Sequence, residues 1–563
     1  MAPGGRSRIC HRRARPCHRF AACRRGAGVA DCQVGYLRAK WRPETEGSLS
    51  IDMNDATESS LASAVPRRAA PLLSWPLIAG LAGFALPLLR PPESLIDPDT
   101  YLHLSAGRWM IEHGALPFHD PFSFSMPGAV WVPHEWLAEL VLAAVFQAAG
   151  WTGLVLLTTA CFGVGLAIFM GRLQRHCEPF TALIMTALTG GMALPHLLIR
   201  PHMLALPLLV GWSASLIAAR DEGRAPSLWL LPVMVLWANL HGGFMFGLAL
   251  ALFLAGEAIV LASGATRRRA LLQWGGFLAL ACLAGLATPN FIDGFIQPFR
   301  LMAMPTLQSI FVEWVPPDLR KDHMLMLWLL GAMALGFSLG LKLPFTRVVL
   351  LLGLFYETLQ STRHGDLLAW VGPLAVAAML GPALAARIRT DPPSHLARLL
   401  AQLAAQANGA GFAVAAILAL LVGAGALAWL PPPDEAKARP VAALERARAM
   451  HLTGPVLNEE GFGGYLIHAG IPPFIDGRIE MYGDAFLKRW SGAAYGNRAA
   501  LVALLDQYKI TWTLFAADSG ALDNLNSLPG WRRAYGDSVA VIHVRSSAVP
   551  VGAPEDAGGD RAQ

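Results

Sequence analysis

Repeated apolar stretches constrain this chain more than any other feature, because about 20 apolar residues are the length that a helix needs to cross a bilayer core. Clear examples lie at residues 71–89, 152–171, 243–262 and 411–430. The chain is 54% hydrophobic and only 15% charged, whereas soluble domains are usually about a quarter charged. The sequence therefore excludes an ordinary soluble protein and predicts an integral membrane protein.

Apolar runs predict an α-helical polytopic membrane protein with about eleven spans and a small soluble α/β domain at the C-terminus. One run, 228–262, is too long for an ordinary span. It contains Asn239-Leu240-His241-Gly242-Gly243, which predicts a kinked or broken helix. The predicted spans are 71–89, 135–149, 152–171, 179–196, 203–219, 228–262, 272–288, 325–341, 346–361, 366–385 and 411–430.

The charge distribution predicts the orientation. Residues 1–52 hold 11 Lys and Arg against 4 Asp and Glu, and a basic segment before a first span favours a cytoplasmic N-terminus in the cell (inner) membrane. An odd number of spans then places the C-terminal domain outside the cytoplasm. The cytoplasmic side receives the basic turns with Arg267, Arg268, Arg269, Lys342, Arg347, Arg387 and Arg389. Positively charged loops usually face the cytoplasm, but this orientation places two basic turns outside. These turns carry Arg172 and Arg175, and Arg220 and Arg224.

Four regions follow from composition. Residues 1–70 are predicted as a basic disordered tail, of which 1–52 are alternatively non-native because Met53 begins a more ordinary membrane-protein start. No nucleic-acid-binding pattern accompanies this tail. Residues 71–430 form the membrane domain with two long outer loops, 90–134 and 289–324. Residues 431–545 form the α/β domain, with strands near 455–458, 464–467, 511–515 and 538–544, and residues 546–563 form a disordered tail.

The first outer loop concentrates acid, base and metal-ligand side chains. Asp97-Pro98 predicts a helix start with Asp97 as its N-cap. Asp99 then shares one helix face with His103 and Gly107. It is either a surface acid favoured by the helix dipole or an ionised carboxylate that accepts a proton or binds a divalent cation. The loop's polar residues are Asp97, Asp99, His103, His113, His119, Asp120, His134 and Glu135.

Two further groups in this loop have alternative interpretations. Asp120 either satisfies backbone donors in a turn or contributes to a substrate site. His134 and Glu135 lie at the mouth of the second predicted span, beside the same outer cavity as Asp99. Trp131 and Trp136 around them are interfacial anchors.

Asp99, Tyr101, His103 and Leu104, in the pattern Asp-x-Tyr-x-His-Leu after the first span, resemble the first acidic motif of the GT-C glycosyltransferases. That superfamily includes oligosaccharyltransferases, protein O-mannosyltransferases and aminoarabinose transferases of lipid A. The resemblance implies 8–13 spans, a catalytic first outer loop and often an outer C-terminal domain. It covers the spans and the first loop.

Carried over to this sequence, the resemblance implies that Asp99 is the catalytic or metal-binding aspartate. Ser309-Ile310-Phe311-Val312-Glu313 resembles the acidic motif that oligosaccharyltransferases carry in a later outer loop. A divalent cation, Mg²⁺ or Mn²⁺, is thus a candidate ligand of Asp99 and Glu313. The chain departs from the family in two places: only Glu178 stands where a second paired-acid motif is expected, and the C-terminal domain lacks a Trp-Trp-Asp acceptor motif.

The resemblance implies a polyprenyl-phosphate sugar as donor, membrane lipids as partners and inverting attack on the anomeric carbon. The predicted catalytic residues are Asp99, His103 and Glu135. The predicted substrate-binding residues are Asp120, His134, Arg363, His364 and Glu313. Arg363 and His364 are the first candidates for holding the leaving phosphate, since the predicted topology places Arg200 and His202 on the opposite side.

Other polar residues keep two interpretations. His241 is predicted mid-bilayer, either in an interhelical hydrogen bond or in a cavity. In the C-terminal domain, Gly463-Gly464-Tyr465 predicts a tight strand entry. Asp476 and Arg478 form either a turn with an ion pair or a cover over the site.

Two other functions compete with the transferase. A lipid or polysaccharide transporter, or flippase, would use the histidines and acids as a proton relay, and it predicts inverted repeats with paired broken helices, of which the sequence shows one break. A non-catalytic scaffold for envelope assembly would use the first loop only as a folded platform.

Overall fold

The computed structural model of the protein describes residues 72–311, 313–388, 400–404, 407–437 and 439–546. The basic tail predicted for residues 1–70, and the tail from residue 547 onward, lie outside the described residues. The described residues belong to one compact unit.

Helices account for most of the chain up to Trp429. Several of them begin with a proline at one of the first two positions, where the missing N–H has no helical partner to lose. The helices are Trp75–Ala85, Pro98–His113, Trp136–Leu173, Pro179–Ala193, Pro201–Asp221, Leu230–Leu240, Phe244–Val260, Gly264–Ala270, Gly276–Gly285, Phe291–Met302, Pro305–Ile310, His323–Leu339, Phe345–Gln360, Gly365–Ile388 and Gly409–Trp429.

Four segments among the described residues are long and apolar enough to cross a membrane: Trp136–Leu173, Pro201–Asp221, Thr362–Arg387 and Gly409–Trp429. Four shorter apolar segments accompany them: Trp75–Leu89, Leu230–Leu240, Phe244–Val260 and His323–Leu339. The protein is therefore a helical membrane protein, but the predicted number of eleven spans is not confirmed.

The helix Trp136–Leu173 is broken at Gly150, whose φ of 59° and ψ of −153° are not helical. The segment before the break lies along the helix Pro98–His113, which we call the first-loop helix: Glu139 bonds to His103 at 3.1 Å. Directly after the break, the ring of Trp151 packs 5.4 Å from that of Tyr101 in the same helix. Both ends of the predicted span 135–149 thus lie beside one short helix, so this prediction is wrong and the crossing begins only after Gly150.

The predicted break in 228–262 is present, because Leu230–Leu240 ends at His241, whose backbone is extended, and a new helix starts at Phe244. Glu257, near the end of that new helix, forms a buried ion pair of 3.2 Å with Arg347 at the opposite end of the helical bundle from His241. The helices before and after the break therefore meet at His241, and the stretch is two helices instead of one bent span.

A network of ion pairs lies at the end of the helical bundle opposite His241. Arg347, which is only 2% exposed, also bonds to Asp221 at 2.8 Å, and Arg172 lies 3.7 Å from Asp221. Arg220 lies 3.7 Å from Glu257. The turns carrying Arg172 and Arg220 therefore lie at the same end as Arg347, which corrects the predicted placement of these turns on opposite sides.

The C-terminal region is a small α/β domain, as predicted. Its sheet has the order β1-β2-β4-β3, in which β1 and β2 are parallel and the other pairs are antiparallel. The strands are β1 Val456–Asn458, β2 Trp512–Ala516, β3 Trp531–Gly536 and β4 Ala540–Arg545. The helices of this domain are Val441–Ala449, Glu460–His468, Ile479–Tyr482, Asp484–Ala494, Arg498–Gln507 and Ala521–Asn526.

The strand predicted at 464–467 is wrong, since these residues lie in the helix Glu460–His468, and β3 was not predicted. The glycines that suggested a strand entry serve close packing instead. A Cβ on Gly464 would lie 2.9 Å from the carbonyl oxygen of Pro98, and a Cβ on Gly463 would lie 2.2 Å from that of Ile475. The absence of a side chain at Gly464 lets the helix Glu460–His468 pack directly on the first-loop helix, and its absence at Gly463 lets the same helix approach the segment of Ile475 and Asp476.

The later loop also joins the C-terminal domain. Met304 and Leu307 are buried in the same hydrophobic cluster as Phe474 and Phe486, and Phe124 of the first loop packs against it. The amide of Phe124 donates to the carbonyl of Pro473 at 3.2 Å. The two long loops and the C-terminal domain therefore form one folded layer at one end of the helical bundle.

Candidate active site

Where the two loops, the C-terminal domain and the helical bundle meet, the described residues enclose a cavity rich in ionisable side chains, which we call the polar cavity. It is lined by Asp99, Leu102, His103, Trp131, Pro133, His134, Glu135, Glu139, Arg200, Pro201, His202, His241, Leu301, Arg363, Gly477, Arg478 and Glu480.

The start of the first-loop helix fixes Asp99 at this cavity. Asp97 is the N-cap, as predicted: its carboxylate accepts the N–H of Asp99 at 2.8 Å, and its own N–H donates to the hydroxyl of Thr100 at 3.1 Å. The Asp99 side chain is 26% exposed and accepts a bond from Arg200. Because its backbone is held by a cap and a helix, its carboxylate has a fixed position.

Arg200 reaches the same point from the segment before the helix Pro201–Asp221. The Ile199 N–H donates to the Leu95 carbonyl at 2.7 Å, and the Thr100 hydroxyl donates to the Ile199 carbonyl at 3.0 Å. These bonds tie the segment to the first-loop helix. The prediction that Arg200 and His202 lie on the opposite side is wrong, because counting 135–149 as a span inverted the sides of the helices that follow it.

The later loop adds Glu313, which accepts bonds from two arginines: Arg200 at 2.6 Å and Arg363 at 3.4 Å. Burial alone would raise the pKa of the Glu313 carboxyl, but these two guanidinium groups lower it below its usual value. The Arg363 guanidinium also lies 5.3 Å from the centre of the Trp314 ring. Glu313 is thus a support for the two arginines, next to the lining residues.

A group of imidazoles and carboxylates forms another wall. Glu135 lies 3.5 Å from the Nε2 atom of His241 and 3.9 Å from that of His134. The rings of His202 and His241 are 6.2 Å apart. His241, predicted mid-bilayer, therefore lines the polar cavity, and its Nδ1 accepts the N–H of Gly243 at 3.0 Å.

His103 is buried below this wall. Burial favours the neutral imidazole, but the hydrogen bond to Glu139 and the nearby charge of Glu135 raise the pKa of His103. Gly107, on the same helix face, lies so close to the Glu139 backbone that a Cβ would meet the carbonyl oxygen at 2.1 Å. The predicted shared face of Asp99, His103 and Gly107 therefore packs on the segment that carries Glu135 and Glu139.

The C-terminal domain supplies the remaining wall. Arg478 forms two bonds with the Asp476 carboxylate, at 2.8 and 2.7 Å, and one with Asp120 at 2.6 Å. Its guanidinium lies over the rings of Phe122 and Trp131, at 5.1 and 4.9 Å. Asp476 and Arg478 are therefore an ion pair, and Arg478 lines the cavity.

Glu480 follows in the same segment and faces the polar cavity. Burial raises the pKa of the Glu480 carboxyl, and the charge of Glu135 adds to this effect, while His134 opposes it. Gly477, in the same segment, contacts Asp99 so closely that a Cβ there would lie 2.2 Å from the Asp99 Oδ1 atom. The C-terminal domain is therefore in direct contact with the predicted catalytic aspartate.

Most of the predicted site residues meet in this cavity, namely Asp99, His103, His134, Glu135 and Arg363, with Glu313 behind them. Three predicted substrate-binding residues do not line it, namely Glu313, Asp120 and His364. Asp120 is buried and accepts bonds from the backbone of Phe122 and Ser123 as well as from Arg478. The turn interpretation of Asp120 is the correct one. His364 points to Glu357, at 3.2 Å.

Six ionisable residues of the cavity are not among the predicted site residues. The sequence leaves two interpretations open for His241 and Arg478, and the other four are Glu139, Arg200, His202 and Glu480. Arg200 and His202 were candidates in the Arg-Pro-His run and ranked below Arg363 because of the predicted topology. Glu139 lies one helical turn after Glu135, and this spacing could have indicated it. For Glu480 the sequence carries no local signal, because its position depends on how the C-terminal domain docks.

The predicted cation ligands do not fit a metal ion. Asp99 and Glu313 both accept bonds from Arg200, which occupies the space between them. Among the residues that the structure describes, no group of three or more His, Cys, Asp and Glu side chains is arranged to hold a metal. No chemical step is therefore assigned to a metal ion here.

Among solved structures, the chain is similar to the apo oligosaccharyltransferase of Archaeoglobus fulgidus, with 12% identity, a TM-score of 0.47, and coverage of 85% of this chain and 75% of that one. It is also similar to ArnT from Cupriavidus metallidurans bound to undecaprenyl phosphate, with 14% identity, a TM-score of 0.42, and coverage of 84% and 98%. The apo form of ArnT aligns with 14% identity, a TM-score of 0.43, and coverage of 84% and 97%.

No protein-family model and no curated protein sequence matches the chain. Oligosaccharyltransferases are among the groups that the first-loop motif resembles. At TM-scores below 0.5 these alignments by themselves assign neither a reaction nor a substrate.

Proposed function

We propose that the protein is a membrane glycosyltransferase of the GT-C type, which moves a sugar from a polyprenyl-phosphate donor to an acceptor on the extracytoplasmic side. The observation that carries this proposal is the position of Asp99. Its carboxylate lines a cavity at one end of the helical bundle, beside the guanidinium groups of Arg200 and Arg363.

This arrangement suits transfer at an anomeric carbon. The acceptor hydroxyl gives its proton to the Asp99 carboxylate while its oxygen attacks the anomeric carbon. The bond from that carbon to the lipid phosphate breaks, and the phosphate leaves with the electron pair. Arg363 and Arg200 bind the anion that forms, since guanidinium groups make strong charge-assisted bonds to phosphate oxygens. Attack from the face opposite the leaving group inverts the anomeric centre.

The histidine and glutamate wall fits a sugar. His134, His241 and Glu135 line the cavity with hydrogen-bond donors and acceptors for sugar hydroxyls, and Trp131 provides an aromatic surface. Arg478 and Glu480 of the C-terminal domain also form part of this wall, and their position limits the access of water to the reacting atoms.

The lipid part of such a donor needs an apolar path next to the cavity. A groove lined by Trp136, Leu137, Leu231, Pro232, Val235, Leu236 and Asn239 lies directly beside it. The hydrogen bond of 2.9 Å between the Trp136 ring N–H and the Asn239 side chain connects the groove to the residues of the cavity wall. We assign this groove to the first part of the polyprenyl tail.

The charge distribution supports the orientation. The turns with Arg172, Arg220 and Arg347 share one end of the bundle, and the rule that positive loops face the cytoplasm makes that end cytoplasmic. The polar cavity at the other end then faces outward, where nucleotide sugars are absent and lipid-linked sugars are the available donors.

The test is transfer by the purified full chain in liposomes. Radiolabelled polyprenyl-phosphate sugars are supplied together with a lipid and glycan extract of the membrane as acceptor. We expect consumption of one donor, and a loss of about 10²–10⁴-fold in Asp99→Asn, which removes the base. Glu112→Gln is the matched control, because Glu112 is exposed on the same helix and pairs only with Arg108. Normal transfer by Asp99→Asn would contradict the proposal.

The second candidate is a transporter, favoured by the row His134, Glu135, His241 and His202, which could relay protons. The same liposomes separate the two functions. A transporter moves the labelled lipid across the bilayer without breaking its sugar–phosphate bond, and this movement would depend on a pH gradient. A transferase releases the lipid phosphate in the absence of any gradient.

A further inference from the structure

Three carboxylates, of which Asp99 lines the polar cavity, converge on the guanidinium group of Arg200. The Nε atom of Arg200 donates to Asp97 at 2.6 Å, and one terminal nitrogen donates to Glu313 at 2.6 Å. The other terminal nitrogen donates to Asp99. Each nitrogen of Arg200 thus serves a different carboxylate, and these come from two loops that are far apart in the sequence.

This set of ligands is of the kind that hard divalent cations prefer, since carboxylate oxygens are their usual protein ligands. Here the centre of the set is taken by a side chain of the protein itself. A guanidinium is always charged and has five N–H donors in a rigid plane, so it can serve several carboxylates at once. Three of its five N–H groups are used in these bonds, and the residue also lines the cavity.

The backbone holds Arg200 in this place. The residue precedes Pro201, and the extended conformation of Arg200, with φ of −140° and ψ of 159°, is the one that a following proline favours. The neighbouring Ile199 is bonded through both its N–H and its carbonyl to the segment that carries Asp97 and Asp99. The guanidinium is therefore built into the wall and is not a mobile arm that a metal ion would easily displace.

We infer that Arg200 is the resident cation of the proposed transferase site, and that it balances the charges of Asp97, Asp99 and Glu313 in place of a divalent ion. This inference rests on the proposed function. Arg200 holds one oxygen of Asp99 and leaves the other free to accept the proton of the acceptor. Its unused N–H groups bind the phosphate that leaves, together with Arg363, and transfer needs no added metal.

Metal binding tests the inference without any need for activity. The purified full chain is stripped with a chelator, incubated with MnCl₂ and passed through a desalting column, and bound Mn²⁺ is measured. We expect no bound Mn²⁺ in the wild type. Arg200→Ala leaves three carboxylates without their cation and should bind about one Mn²⁺ per chain. The double variant Arg200→Ala, Glu313→Gln should bind clearly less.

Two results would overturn the inference. One is stoichiometric Mn²⁺ in the wild type that is lost in Asp99→Asn, and the other is no Mn²⁺ in a folded Arg200→Ala. Arg200→Lys is the second variant if Arg200→Ala does not fold. It keeps the charge, and the expectation is that it folds and binds no Mn²⁺, whereas Mn²⁺ binding by it would count against the inference.

Transfer assays complete the test. An excess of EDTA should leave wild-type transfer within twofold of its value, and Arg200→Ala should lose about 10²-fold or more, with partial recovery on addition of Mn²⁺. Transfer by the wild type that stops in EDTA and returns with Mg²⁺ or Mn²⁺ would overturn the inference while supporting the transferase. If no donor is consumed under any condition, the proposed function fails, and the binding result still decides whether Arg200 fills a metal position.

Discussion

The contact between Gly477 and Asp99 is the tightest link between the C-terminal domain and the predicted catalytic residue. A Cβ at position 477 would lie 2.2 Å from the Asp99 Oδ1 atom, a separation that non-bonded atoms do not adopt. The carboxylate oxygen that is free of Arg200 is therefore the one against which the glycine packs. At this position the small size of glycine matters, not its backbone freedom.

We expect Gly477→Ala to lower transfer by about 10-fold or more, because either Asp99 or the segment around Arg478 must shift, and small displacements of reacting groups reduce rates strongly. The measurement is turnover per folded chain. Gly461→Ala is the control: it lies on the same interface, but its Cβ would be 3.8 Å from Pro98, an ordinary contact. Equal activity of the two variants would mean that the position of Asp99 does not depend on Gly477.

Glu480 leads to a prediction about pH. The pKa of the Glu480 carboxyl is near 4.5 in the unfolded chain, and burial raises it in the folded protein. The free energy of unfolding therefore falls as the pH rises above the unfolded pKa, and the full loss is reached above the folded pKa. Below pH 4.5 both states are protonated and the effect vanishes. Glu480→Gln should therefore raise the thermal unfolding midpoint in detergent at about pH 7.5, with no difference from wild type at about pH 4, while transfer falls.

Glu445→Gln serves as the control for this comparison, because Glu445 is exposed on a helix of the same domain. A midpoint at neutral pH that falls in Glu480→Gln would show that the carboxylate has a stabilising partner.

At the residue scale, the sequence predicted what depends on local structure. Asp97 as N-cap, and Asp99, His103 and Gly107 on one face, follow from helix geometry over a few residues. Arg200 and Glu480 could not be placed in this way. The position of Arg200 depends on a correct count of spans over about a hundred residues. The position of Glu480 depends on how the C-terminal domain docks, and no local sequence pattern predicts that docking.

At the scale of elements, Gly150 makes the turn that separates the cavity segment from the span that follows. Its φ of 59° and ψ of −153° lie in a region that is open to glycine and strained for other residues, and no atom lies near the position of a Cβ. Strain at this position would therefore come from the backbone alone.

Gly150→Ala should lower the free energy of unfolding by about 1–3 kcal/mol. Chemical denaturation in detergent measures this value. The control is Gly171→Ala in the same helix, where a Cβ would make an ordinary contact of 3.6 Å with Pro76, so no loss of stability is expected. A neutral Gly150→Ala would mean that the break tolerates a different backbone conformation.

Most of the predicted helices agree with the structure to within a few residues, because long apolar runs are a strong signal. The predictions failed at apolar runs that neither cross the membrane nor form a strand. The stretch 135–149 is apolar since it packs under the first-loop helix, and hydropathy cannot distinguish this burial from lipid contact. The run 464–467 was taken for a strand because short apolar segments fit both periods.

At the scale of the whole molecule, two errors of topology compensated each other. Because 135–149 was counted as a span, the turns after it were assigned to the wrong side of the membrane. Because 228–262 was counted as one span instead of two helices, the turns after residue 262 were assigned to the correct side again. The sides were therefore wrong only between these points, which is where Arg172, Arg200 and Arg220 lie. The structure removes the apparent exception to the charge rule.

Cysteine labelling in inverted and right-side-out vesicles tests this arrangement. In a background with the native cysteines changed to serine, Glu112→Cys and Arg498→Cys should react from one side, and Arg224→Cys and Arg268→Cys from the other. The expected pattern follows from Arg220 and Arg347 sharing one end of the bundle. Labelling of Arg224→Cys from the same side as Glu112→Cys would restore the topology predicted from the sequence.

The wall of the polar cavity joins distant parts of the chain, since Arg478 bonds to Asp120 across 358 residues of sequence. A ribosome has added 476 residues before it reaches Gly477, and Arg478 and Glu480 follow. In the proposed orientation these residues must also pass through the membrane before they can reach the first loop. We therefore expect a nascent chain to remain inert toward lipid-linked sugars until the α/β domain has been exported and has folded.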